Sequence, residues 1–292
     1  MTRLRADLLL VASAAVWGLA FVYQKTAMDH VGPLTFIACR GLVAAAALWP
    51  LAAMEAKRTA PGDRALLWRI STYAGIAFLV AAVLQQTGIV TASVTNSGFL
   101  TALYVVFVPF IAWAWHRKAP GAVVWPAVVL SFTGTWLLGG GSLSGLGTGD
   151  LLVAASAVFW AAHVVILGVS GRLARPVTLT ALQFLFVGGL ALAAALVLER
   201  PSLAGVTAVW KEIAFVGLLS SALTFTLLAV ALRHTPPSEA AVLVSLETVF
   251  AALAGALLLG DRLPLIGWIG AGMIFTATLV VQLGAHVTKP KP

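Results

Sequence analysis

Acidic residues are nearly missing from this chain. Asp and Glu number 10 in 292 residues, Lys and Arg 18, and charged types together make up 10%. An average soluble domain carries about 25%. So little charge excludes a water-soluble fold of this size, and the bilayer must be the solvent. Cysteine is reduced to Cys39, which excludes an internal disulfide. No His/Cys/Asp cluster has metal-ligand spacing, so no metal is expected. No GxxxxGK loop followed by Ser or Thr is present, which excludes ATP-driven work by this chain. Gly147-Thr148-Gly149-Asp150 reads GxGD, as in one type of intramembrane protease. That chemistry needs a second aspartate inside another span, but Asp7, Asp29, Asp63, Asp150 and Asp261 all fall at the ends of apolar runs or in loops. Asp150 reads better as a helix N-cap after a glycine loop. No catalytic residue and no cofactor is expected, and the chain is not read as an enzyme.

Apolar residues, by contrast, make up 61%. Ten runs long enough to span can be drawn, over 8–27, 33–53, 70–89, 95–115, 121–139, 150–169, 178–198, 212–232, 239–259 and 265–285. About 20 residues at 1.5 Å rise cross a hydrocarbon core of ~30 Å. Barrel strands would be alternating and about half as long, so the spans are helices. The links are short and leave no room for a soluble domain. The net charge of +8 is read as basic loops on the cytoplasmic side, not as a nucleic-acid surface.

The stretch Asp150–Trp160, DLLVAASAVFW, repeats Asp7–Trp17, DLLLVASAAVW, at an offset of 143 residues. The same offset pairs Pro33 with Pro176, Thr35 with Thr178 and Trp125 with Trp268. A half-chain period means two copies of one unit, residues 1–143 and 144–292. The N-terminus resembles a secretory leader, but a cleaved leader would not recur inside the chain, so it is read as the first span. Five spans per copy is an odd number, so the second copy enters from the opposite side. The fold class is therefore all-α integral membrane, with ten helices as two inverted five-helix repeats. Such repeats occur in secondary transporters, which bind solute near the midplane between the copies. Lys and Arg divide 13 against 4 between the two faces, with Arg40 inside a span. The positive-inside rule then places both termini in the cytoplasm.

The stretch SLETVFAALAGALLLGDRL, Ser245–Leu263, resembles the "LEPvfaallaallLGE" signature of the EamA branch of the drug/metabolite transporter superfamily. Glu247 stands at the acidic position, Thr248 replaces the usual Pro, and Asp261 replaces the usual Glu after Gly260. The first-copy counterpart is poorer, with Pro109 and no acidic residue near Arg117. Ten spans in two copies, each with Trp near the middle of its first span, fit the same branch. Within it the chain is most similar to the YddG-type aromatic amino-acid exporters. The resemblance implies a bacterial inner-membrane exporter of amino acids and related small metabolites. Transport of drugs, purines or vitamins, or a channel or lipid scramblase, stays open beside it. The expected partners are a small-molecule substrate and the bilayer, with the chain a monomer or homodimer.

Ionisable groups in mid-span are costly, at ~2.5–3.5 kcal/mol on insertion scales, and mark pathways or partners. Arg40, His163 and Glu247 are the instances. Counted from opposite faces, Glu247 lies ~12 Å deep and His163 ~20 Å, nearly one level in a ~30 Å core. Trp17, Tyr104 and Trp160 share that level, and Tyr104 is the repeat mate of Glu247. These five residues form the candidate substrate ring, joined by Arg40, Thr101 and Ser245. Glu247 has three readings: a desolvated proton-coupling carboxylate, a site for a substrate ammonium, or a structural partner of Arg40. Serine and threonine stripes (Ser13 and Ser156 beside the tryptophans, Ser97 and Thr101 below Tyr104, Ser220, Ser221 and Thr224) line a cavity or join helices. Gln24, Lys25 and Gln86 are expected in an outer vestibule. Pro109, inside the fourth span, is the expected hinge. The fifth and tenth spans have the fewest polar groups and are expected at the periphery or at a dimer contact.

Overall fold

A computed structural model describes residues 1–59, 63–141, 146–173, 175–260 and 264–287. Part of the link between the copies, Asp261 of the signature, and Arg262, Lys289 and Lys291 of the charge count lie outside the described residues. The described chain is all helical. We number the spanning helices α1 (Arg3–Ala27), α2 (Pro33–Arg58), α3 (Arg64–Ile89), α4 (Val94–His116) and α5 (Val124–Leu138) in the first copy. The second copy holds α6 (Thr148–Val169), α7 (Pro176–Leu198), α8 (Trp210–Ala231), α9 (Pro237–Leu258) and α10 (Leu265–Val287).

Their ends follow from local chemistry. Pro33 and Pro176 open α2 and α7, where a missing N–H costs nothing. Asp63 and Ser93 accept from the Leu66 and Asn96 amides at the starts of α3 and α4. At α6 the N-cap is Gly147, not Asp150 as the glycine loop suggested. Asp150 stands three residues further in, reaches back to the Gly147 N–H at 2.9 Å and accepts from Asn96 Nδ2 at 3.1 Å. Helix α5 has only 15 residues, about 22 Å, because Pro120 and Gly121 keep the chain out of helix until Val124.

The inversion is written in the α2–α7 pair. Glu55, near the end of α2, caps the start of α7 by accepting from the Val177 and Thr178 amides and the Thr178 hydroxyl. Glu199, at the end of α7, does the same for the Leu34 and Thr35 amides and the Thr35 hydroxyl at the start of α2. Each carboxylate meets helix N–H groups that have no partner within their own helix. Mates that cap each other end to start must run antiparallel. They cross closely: a methyl group on Gly41 would stand 3.0 Å from Gly188 Cα. Helices α5 and α10 pack on each other in the same manner, with Gly134 against Gly270, and turn large apolar side chains such as Trp268 and Phe275 outward.

Two helices are broken at matching places. In α4 the helix stops at Thr101 and resumes at Tyr104; in α9 it stops at Val244 and resumes at Glu247. The interrupting residues, Ala102–Leu103 and Ser245–Leu246, are 143 positions apart. Both breaks are tightened by a bond spanning three residues, Val105 N–H to Ala102 O and Thr248 N–H to Ser245 O. Pro109 lies beyond the break, inside Tyr104–His116, and α9 breaks without any proline. The interruption therefore belongs to the fold, not to Pro109. Helix α8 widens to π geometry over Phe215–Leu223. The two breaks lie against protein, where a bilayer tolerates them, while the π stretch buries Val216, Gly217, Ser220, Ser221 and Ala222 and turns Leu218, Leu219 and Leu223 outward.

Candidate functional site

The broken helices, α1, α2, α3, α6 and α8 enclose a central cavity between the copies. Its volume is about 630 Å³, part of it open to the outside.

Aromatic rings form one wall. Trp17 on α1 packs on Phe225 of α8 at 4.8 Å between centroids, and Trp160 on α6 lies 6.1 Å from Phe225, nearly parallel to it. Phe78 of α3 sits behind them, edge-on to Trp160 at 5.0 Å and to Phe225 at 5.1 Å. Stacked and edge-to-face pairs of this kind hold one another in register.

Polar groups occupy the rest. Arg40, 3% exposed, donates from Nε to Ser221 Oγ at 3.0 Å and from Nη1 to Gln24 Oε1 at 3.2 Å. Its guanidinium carbon stands 5.6 Å from the Phe78 ring centre, a cation–π contact. Gln85 donates to Thr101 Oγ1 at 2.8 Å, and His163 Nε2 bonds Gln183 Oε1 at 3.1 Å. The Trp17 indole donates to Ser220 O at 2.9 Å, a carbonyl within the π stretch. Tyr104 and Glu247 lie against each other at the starts of the two second half-helices. Trp160 Nε1 and His163 Nδ1 are buried with no hydrogen-bond partner among the described residues, and Tyr104 Oη and Glu247 Oε1 have none beyond their contact with each other. Each such atom costs about 1–3 kcal/mol when left unmet.

Seven of the eight candidate substrate-site residues thus line one cavity: Trp17, Arg40, Thr101, Tyr104, Trp160, His163 and Glu247. Ser245 is not on its wall. Its hydroxyl is tied to Ser131 Oγ and Val242 O, both at 2.7 Å, at the α9 break. The Arg40–Glu247 pair does not form, because Arg40 is turned toward α8 and α1 by Ser221 and Gln24. Gln24 lies in the cavity rather than in an outer vestibule. Lys25 closes the end of α3 by donating to the Ile89 and Val90 carbonyls, and Gln86 donates to Gln24 O. Ser13 and Ser156 bond carbonyls of their own helices. Sequence reasoning missed Gln85, Phe78 and Phe225. Residues 78 and 85 are seven apart and share a helix face, so Phe78 would have selected Gln85 over Gln86.

Comparison with known proteins agrees with this architecture. Two stretches, residues 4–140 and 147–283, match the EamA-like transporter family. An uncharacterized transporter of Archaeoglobus fulgidus is 29% identical over 96% of this chain and 87% of its own length. The uncharacterized inner membrane transporter YedA of Escherichia coli K12 is 25% identical over 97% and 92%, and the uncharacterized transporter YwfM of Bacillus subtilis 23% over 97% and 95%. A crystal structure of a protein 16% identical in sequence superposes with a TM-score of 0.78 over 99% of this chain and all of that one, which extends the likeness to the fold. This multi-pass chain, with nine helices long and apolar enough to cross a membrane and the shorter α5 among the described residues, therefore belongs to the EamA-like transporter family, within the drug/metabolite transporter superfamily.

Proposed function

We propose that the protein is a secondary-active exporter of aromatic or other neutral amino acids and related small metabolites, working by alternating access. The observation that carries the reading is the set of four buried polar atoms, two with no partner and two with only each other, in a cavity walled by tryptophan and phenylalanine. Aromatic walls suit a flat or apolar side chain, and a few polar groups fix its orientation. In this reading Glu247 and Tyr104 receive the substrate ammonium, Trp160 Nε1 and His163 Nδ1 take further hydrogen bonds, and the inverted copies exchange conformations to open the cavity to either face. In this reading both termini lie in the cytoplasm of a bacterial cell, at its inner membrane, which the charge bias of the loops supports. The substrate exits away from them.

Counterflow of labelled amino acids in proteoliposomes, at several pH values, tests the reading. Saturable, stereoselective uptake is expected, with Trp160→Ala lowering it several-fold in protein that remains folded. Flux that neither saturates nor distinguishes enantiomers would indicate a channel or scramblase. Saturation with purines, vitamins or drugs alone would move the substrate class.

A further inference from the structure

We propose that Arg40 is the anion receptor of the central cavity, so that the transported solute must carry a carboxylate and organic cations are rejected. The inference rests on the cavity being the solute site and narrows which solutes it takes.

Arg40 is a fully desolvated cation with neutral partners only. Its hydrogen bonds go to a hydroxyl and an amide oxygen, and a phenyl ring lies beneath it. The ion pairs present among the described residues join Arg3 to Asp7 and Glu239, at one end of the molecule, and none reaches Arg40. A guanidinium has five N–H donors in a fixed fork, and just two are engaged here. A buried charge held this way is under-compensated until an anion arrives. The fork geometry suits a carboxylate, which takes two parallel N–H bonds.

The fold does not need a charge at this position. The repeat mate of Arg40 is Gln183, which occupies the equivalent place on α7 as a neutral group and bonds His163. Ser221 and Gln24 occupy two of its donors, and Arg40 lines the cavity with no other hydrogen-bond partner among the described residues. A zwitterion fits both ends, its carboxylate on Arg40 and its ammonium at Glu247. A lone organic cation keeps the Glu247 contact but leaves the Arg40 charge uncompensated and unscreened beside it.

The test uses the purified full-length chain. Labelled L-phenylalanine counterflow in proteoliposomes is competed with 3-phenylpropanoate, which keeps the carboxylate, and with phenethylamine, which keeps the ammonium. We expect the carboxylate to compete at least tenfold better. Arg40→Gln, which copies Gln183, should lower counterflow about tenfold or more and abolish that preference; Arg40→Lys should fall between. A preference for the amine, or Arg40→Gln counterflow within twofold of the parent, overturns the proposal. If Arg40→Gln does not fold, the parent competition and Arg40→Lys decide. A thermal-shift series on detergent-purified protein at constant ionic strength tests the receptor independently of transport. Benzoate and 3-phenylpropanoate should raise Tm in the parent and not in Arg40→Gln. Equal shifts in both, no shift in the parent, or a rise with chloride matching that with the carboxylates, meaning a bound inorganic counter-ion, would each overturn it. Absent phenylalanine counterflow with the carboxylate shift intact removes the amino-acid reading and leaves the receptor standing.

Discussion

The two copies agree on scaffold and disagree on chemistry. Proline opens α2 and α7 at mated positions, the breaks in α4 and α9 coincide residue for residue, and a glutamate at the end of each second helix caps the other's start. The cavity-facing mates have diverged. Arg40 answers to Gln183, Glu247 to Tyr104, and Ser221 to Phe78. Where both mates kept the same residue, their bonding differs: Trp17 donates to Ser220 O, while the Trp160 N–H has no partner. Inverted copies must stay interchangeable in shape if each is to adopt the other's conformation. Their lining need not match, because a small solute bound between them has two different ends.

The strongest check falls on the shared scaffold. Each capping glutamate satisfies two backbone donors and one hydroxyl. Caps and charge–dipole contacts of this kind contribute about 1–2 kcal/mol each in half-buried settings. Glu55→Ala and Glu199→Ala should therefore lower stability by similar amounts, read as unfolding midpoints in detergent. The sites lie at opposite ends of helices about 35–40 Å long, so the double variant should lose the sum. Clearly unequal single losses would mean that the two caps are alike in geometry only.

The diverged lining gives the next effect. Glu247→Gln should cut amino-acid counterflow about tenfold, equivalent to about 1.4 kcal/mol, since the proposed ammonium contact loses its charge. Tyr104→Phe, at the mated position, removes one neutral hydroxyl and should cost about threefold. A larger loss for Tyr104→Phe than for Glu247→Gln would place the cationic end of the substrate elsewhere.

Much of the scaffold was legible because membrane helices announce themselves by length and a repeat by its rarer residues. An odd number of spans then forced the inversion before any geometry was known. Depth counted along a helix also gathered Trp17, Tyr104, Trp160, His163 and Glu247. Depth is one coordinate of three, however, and it could not tell whether Arg40 faced Glu247 or, as the structure has it, Ser221 and Gln24. The phase of α3 was equally free, so Gln86 was expected in the vestibule while Gln85, which lines the cavity, was passed over. The helix breaks carry no glycine or proline at Ala102–Leu103 or Ser245–Leu246, and Pro109, the expected hinge, lies past the first of them, inside Tyr104–His116.

The two tryptophans separate scaffold from site most finely, since they share a residue type, a repeat position and a wall. In Trp17 the indole N–H is used within the protein, bonding a carbonyl that also accepts from Thr224 Oγ1. Trp17→Phe should thus cost stability, by about 0.5–1.5 kcal/mol for one hydrogen bond, and leave counterflow within about twofold. In Trp160 the N–H is buried and unmet, so Trp160→Phe should remove a burden from the empty protein, leave its stability equal or higher, and lower counterflow about threefold because the bond forms only with bound solute. Opposite signs in stability and flux from one substitution at mated positions are hard to produce by general damage. Were Trp160→Phe to destabilise the protein as much as Trp17→Phe and spare transport, the free N–H would be a feature of packing, and the asymmetry between the copies would not mark the substrate's orientation.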